Sequence, residues 1–306
     1  MFFATLLILV THETDIPTVE ISDAVRWNRL LLRKFEVYVV QAFTELRLHG
    51  IEPILIKGWA ASRNYPIEHP RPFSDVDLAV ASKDHDVAFE LSHTAPLDRL
   101  SIDVHRELRH LDTVPWNTLF ERSKLETIDD TKIRVLCAED HLRVLCIHWL
   151  NDGGQYRDRL WDIYYAVTNR PADFDWNRCL AGVSPTRQKW IVMTIAIAKK
   201  YLGLDTSGLP FAVETENIPK WIIRCLENEW ASDVRLRSLH TCIRYPKEFW
   251  QQVLKRIPPN PIESTIEMEG EFDDSSRVKY QIGSVLARIT PSIKRLRLAL
   301  RHSMAK

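Results

Sequence analysis

Cysteine is scarce and unpatterned in this chain. Its five Cys in 306 residues form no C-x-x-C pair. Reduced thiols in a cytoplasmic protein are therefore expected. A surplus of one charge is also missing, since 41 Lys+Arg balance 41 Asp+Glu. Long nucleic acid is not an expected partner, because binding it requires Lys and Arg to replace phosphate counterions. No run approaches the ~20 apolar residues of a membrane-spanning helix, so no transmembrane segment is expected. Residues 1–21 open with an apolar stretch, Met1–Val10, that has no basic flank and no small-residue cleavage site before His12, Glu13 and Asp15. That segment reads as the start of a buried strand or helix and not as a signal peptide. Walker A loops, internal repeats and a Ser-His-Asp or Cys-His order are absent as well.

What is present is ordinary globular composition, 45% hydrophobic and 27% charged, in a chain long enough for two domains. Ser22 or Asp23 caps a long predicted helix reaching about His49, with Leu31, Phe35, Val39, Ala42 and Leu46 near one face. Ile51–Lys57 reads as a strand ended by Gly58, Trp59–Tyr65 as a helical turn, and Pro66–Pro72, with three prolines, as a loop. Asp75–Val80 and Arg99–Leu108 alternate like strands, with a helix over Asp84–His93 between them. From Ala138 the period becomes helical, giving an expected helical domain over 138–255 after an α/β unit over 22–135. Residues 258–276 hold three prolines by Pro261 and six acids from Glu263 to Asp274, and read as a linker. Residues 277–306 read as a basic C-terminal helix that can touch an acidic partner, with six Lys/Arg and no acid after Val285.

The chemistry sits on the strand-like segments. Asp75 and Asp77 are one residue apart, so a pleated strand points both to one side. Asp103 lies on a later strand-like segment and shares its face with His105. If those strands are neighbours, the three acids converge and repel, which raises their pKa values. A hard divalent cation removes that cost and prefers oxygen ligands together with substrate phosphates. Upstream, Lys57-Gly58 closes a strand and opens a helix, where backbone N–H groups can meet a phosphate. Lys57 and Arg71 add positive charge.

The text Ile54-Leu55-Ile56-Lys57-Gly58, then Tyr65, then Arg71-Pro72-Phe73-Ser74-Asp75-Val76-Asp77-Leu78, then Ile102-Asp103-Val104-His105, resembles a bacterial family of uncharacterised nucleotidyltransferases. That family belongs to the DNA polymerase β-like nucleotidyltransferase superfamily. Cys146-Ile147-His148 and Leu160-Trp161-Asp162-Ile163 resemble its helical half, so the likeness covers roughly residues 30–205. It departs from the superfamily at the strand end, where Gly58 is followed by Trp59 and the nearest serine is Ser62.

The resemblance implies an α+β fold, a small mixed β-sheet core with flanking helices followed by a mainly helical domain. Residues 22–135 would be the catalytic domain. Asp75 and Asp77 would bind two Mg²⁺ ions, or Mn²⁺ in their place, for a two-metal mechanism, and Asp103 would ligate the second ion and act as base. Lys57, Gly58, Ser62, Arg71 and Ser74 would hold the nucleotide, with His105 and Asp162 as accessory residues. The activity implied is transfer of an NMP from an NTP to a hydroxyl or phosphate of a small molecule, peptide or protein. A phosphotransferase on the same scaffold and a catalytically silent nucleotide-binding regulator are the alternatives.

Overall fold

The computed structural model describes residues 23–288 apart from 238, 243 and 244. The apolar segment 1–21 and the basic stretch beyond residue 288 lie outside the described residues. The sheet half begins with α1 (Asp23–Leu48), followed by β1 (Ile54–Leu55), α2 (Trp59–Ser62), β2 (Val76–Val80), α3 (His85–Ser92) and β3 (Ile102–Arg106). It ends with α4 (Trp116–Arg122) and a hairpin of β4 (Lys124–Ile128) and β5 (Thr131–Val135). The helical half contains α5 (Ala138–Asn151), α6 (Leu160–Thr168), α7 (Trp176–Ala181), α8 (Pro185–Leu202), α9 (Lys220–Ala231), α10 (Leu239–Cys242), α11 (Pro246–Arg256) and α12 (Pro261–Glu267). Residues 278–288 are also helical.

The five strands form one mixed sheet in the order β3-β2-β1-β5-β4. β2 runs parallel to β3 and antiparallel to β1, while β5 runs parallel to β1 and antiparallel to β4. The fold is therefore mixed α/β with a small mixed sheet. Strand alternation then decides which layer each side chain enters. Val76, Leu78 and Val80 are fully buried against α1, whose Phe35, Val39, Phe43 and Leu46 complete that core. Ala79, Ile54 and Ile56 point to the other face and join the core of the helical half. Asp77 alternates with Val76 and Leu78, so it too faces the helical half. The same alternation buries Val104 on the α1 side and leaves Asp103 and His105 opposite.

Two sequence expectations change. The α4 helix and the β4–β5 hairpin complete the sheet half, where only three strands were expected. Residues 258–276, expected as a linker, are a packed part of the helical half. Asn260 caps α12 through its Oδ1, which accepts from the backbone N–H groups of Ile262 and Glu263. Ile262, Ile266 and Phe272 lie buried in the same core as α5 and α8. The acids that suggested a solvated linker are ion-paired: Glu269 with Arg187 and Glu271 with Lys189. Prolines and acids describe the surface of this segment, and its apolar residues decide where it goes.

A candidate metal and nucleotide site

The register of the two parallel strands creates the site. Asp77 of β2 is directly paired with Asp103 of β3. His105, two residues on, lies on the same face. Asp77, Asp103 and His105 each offer a ligand atom, and these atoms lie within 4.8 Å of one another. The His105 Nε2 is 3.4 Å from Asp77 Oδ1 and 3.1 Å from Asp103 Oδ2. Lys57, at the end of the segment that carries β1, places its ammonium 2.7 Å from Asp77 Oδ1.

The electrostatics follow from this packing. Burial would raise the Asp77 pKa, but the hydrogen bond from His105 and the charge of Lys57 hold it well below the usual carboxylate range. Burial works against the charged form of His105, and its two carboxylate partners raise its pKa regardless. The bond from His105 also lowers Asp103. Asp75 moves the other way, raised first by burial and then by the charge of Asp77. Asp75 is therefore coupled to the cluster, although His105 and not Asp75 is its third close member.

These residues fit a divalent cation. Two carboxylates suit Mg²⁺ or Mn²⁺, and the imidazole tolerates Mn²⁺ better than Mg²⁺. The Lys57 ammonium is the cationic partner of Asp77 in this structure.

A cavity of about 200 Å³ opens beside the cluster. Lys57, Gly58, Arg71, Ser74, Asp75 and Asp77 line it from the sheet half. Gly58 has φ +58°, and a Cβ there would lie 3.2 Å from the Asp75 carbonyl and 3.3 Å from Phe73. Glycine is what allows the Lys57–Gly58 turn to approach the acid strand this closely. The helix that follows spans only Trp59–Ser62, so it offers little of the dipole expected of a longer one.

Ser62 is not brought to the cavity. Its hydroxyl donates to the Trp59 carbonyl at 2.7 Å. Arg71 reaches the cavity but is already engaged. Its Nε and Nη2 donate to the two oxygens of Asp162 at 2.6 and 2.8 Å, and Tyr65 Oη donates to Asp162 Oδ1 at 2.6 Å. Arg71 and Asp162 are both buried, so this pair is a fixed strut between the sheet half and α6.

The sequence did not point to the opposite wall. His148 and Asp152 at the end of α5, then Tyr156 and Arg159, line the cavity from the helical half. Burial and the nearby Lys57 push His148 down to about 3, and burial pushes Asp152 up to about 6. The only available signal was a His and an Asp four residues apart at the end of an apolar helix, a spacing that places both on one face.

The site thus joins a carboxylate–imidazole cluster to a small polar cavity walled by both halves of the chain. Compared with known proteins, the chain matches no family model, no curated protein and no solved structure.

Proposed function

We propose that this chain is a divalent-cation-dependent nucleotidyltransferase that moves an NMP from an NTP to a hydroxyl or phosphate acceptor. One observation carries the reading. Asp77 and Asp103 are cross-strand partners on the helical-half face of the sheet, with the Lys57–Gly58 turn packed against Asp75. The sequence resemblance supports the same core.

In this reading Asp77, Asp103 and His105 hold the cation, with Asp75 beside them. The bound cation supplies charge neutralisation at the reacting phosphate. The Lys57–Gly58 turn and Ser74 position the triphosphate. The acceptor oxygen attacks the α-phosphorus, its proton passes to the Asp103 carboxylate, and the bond to pyrophosphate breaks with the electron pair leaving on pyrophosphate.

The contact of Lys57 with Asp77 favours one second reading, a nucleotide-binding regulator in which the ammonium permanently replaces the cation. Incubation with Mg²⁺ or Mn²⁺, cell extract and each NTP labelled at the α- or γ-phosphate separates the possibilities. Label moving from the α-phosphate with pyrophosphate release, and absent in Asp77→Asn and Asp103→Asn, is the expected result. Label moving only from the γ-phosphate would assign a kinase. NTP binding that survives both substitutions, with no product from any extract, would assign the regulator.

A further inference from the structure

We infer that Arg159, on the helical wall of the cavity, is a phosphate-binding residue that grips the terminal phosphates of the NTP. This rests on the nucleotidyltransferase reading and adds to it a donor from the other half of the chain.

A triphosphate carries several negative charges, and the cavity presents three cationic side chains to it: Lys57, Arg71 and Arg159. Lys57 is paired with Asp77. Arg71 has two of its three nitrogens on Asp162. Arg159 is different. Its Nη1 donates to the Pro72 carbonyl at 3.3 Å, and among the described residues no acid lies within ion-pair distance of it. It is half-buried, and its charge reaches Asp75, Asp152 and Asp162 through the cavity. With no carboxylate in direct contact, the Arg159 guanidinium keeps most of its donors available, and a phosphate is the group that fork of donors matches.

The neighbouring arginine shows that this placement is specific. Arg157 stacks on Trp230 at 5.2 Å and Tyr201 at 6.0 Å, where it serves packing. Two residues later Arg159 stands at the N-cap of α6, and its bond to Pro72 directs the guanidinium toward the loop that leads into β2.

The position also answers a vacancy in the sheet half. The Ser62 hydroxyl, the donor expected after the glycine turn, is used by the Trp59 carbonyl. The reacting α-phosphate must sit at Asp77 and Asp103, on the Lys57 side. Arg159 stands on the facing wall, so it meets the part of the triphosphate that leads away from the acids.

The test is calorimetric binding of each of the four NTPs and the matching NMPs, with Mg²⁺, to the full chain. In Arg159→Ala, NTP affinity is expected to fall roughly tenfold to a hundredfold, the range for a hydrogen bond to a charged group. NMP affinity is expected to stay unchanged. Arg159→Lys should recover part of the loss, because it restores charge without the fork. Arg157→Ala should leave NTP affinity as it was. The thermal midpoint of Arg159→Ala should match that of the unaltered chain, since a single long backbone contact is lost. NTP affinity within twofold of the unaltered chain would overturn the inference. Equal weakening toward NTP and NMP would also overturn it, because the contact would then not be to the terminal phosphates. If the unaltered chain binds none of the four NTPs, the nucleotidyltransferase reading fails and this inference falls with it.

Discussion

Replacing Arg71 with Met should destabilise the chain far more than replacing Arg71 and Asp162 together. The two side chains are each 6% exposed, and their paired bonds of 2.6 and 2.8 Å span 91 residues of sequence. In Arg71→Met the Asp162 carboxylate stays buried with only Tyr65 as donor. Breaking a buried pair in this way costs about 3–5 kcal/mol, because an uncompensated charge remains. Arg71→Met with Asp162→Leu removes both charges and replaces them with apolar volume, which is often neutral. Only the Tyr65 hydroxyl then loses its partner, at about 1–3 kcal/mol. The double variant should therefore recover about 2 kcal/mol or more of the single-variant loss. Burial opposes the charge on Asp162, while Arg71 and Tyr65 hold its pKa below the ordinary value. A depressed carboxylate contributes above the unfolded pKa of about 4 and loses that contribution as the pH falls through the folded value. The cycle is read from urea midpoints and slopes at pH 7, with the Arg71→Met penalty remeasured below pH 4, where it should shrink. A single-variant loss under about 1 kcal/mol, the scale of an exposed pair, would refute the reasoning. So would a double variant as unstable as the sum of the singles.

Three further predictions concern the fold. His141 is 5% exposed, and burial pushes it down from 6.5 to about 3. The unfolded chain therefore takes up a proton near pH 6.5 that the folded chain refuses, so stability falls with pH at about 1.4 kcal/mol per unit below that point. Urea midpoints from pH 7 to 4 should show that slope reduced in His141→Leu. Gly154 has φ +69°, and an added Cβ would meet Leu226 at 2.3 Å and Trp149 at 2.9 Å. Gly154→Ala should cost about 2–4 kcal/mol from backbone strain and overpacking, visible as a lowered thermal midpoint. Leu78 is 0% exposed at the centre of β2. Leu78→Ala should cost about 2–5 kcal/mol by urea unfolding, with its side chain on the face opposite the acids.

The acid cluster was legible because strand alternation has a period of two. Asp75 and Asp77 had to share a side with each other, as did Asp103 and His105. Adjacency of the two strands was a condition the sequence could state but not meet, and the pairing of Asp77 with Asp103 meets it. The Arg71–Asp162 pair was not legible, because a buried ion pair across 91 residues leaves no local pattern. Arg159 was hidden for the same reason, since which of two nearby arginines turns inward depends on how α6 packs. The β4–β5 hairpin has Asp129 at φ +49° in its turn, but Leu125 is 51% exposed and blurs the alternation. In 258–276 composition misled, since Ile262 and Ile266 are four apart on one buried helical face.

The capping of α12 ties a late part of the chain to the wall of the cavity. Asn260 uses its Oδ1 to start that helix, and its Nδ2 donates to the Gly153 carbonyl at 3.1 Å. Gly153 follows Asp152 directly, and a Cβ at Gly153 would touch the Asn260 side chain at 2.7 Å. One amide therefore serves as a splint between residues 107 positions apart. A chain cut back to residue 257, an inviting boundary by composition, would keep every acid of the sheet half. It would nonetheless release the Asp152–Gly154 turn and uncover the apolar side of α5. Shortening this protein from its far end would thus change the shape of its cavity before it touched the cluster itself.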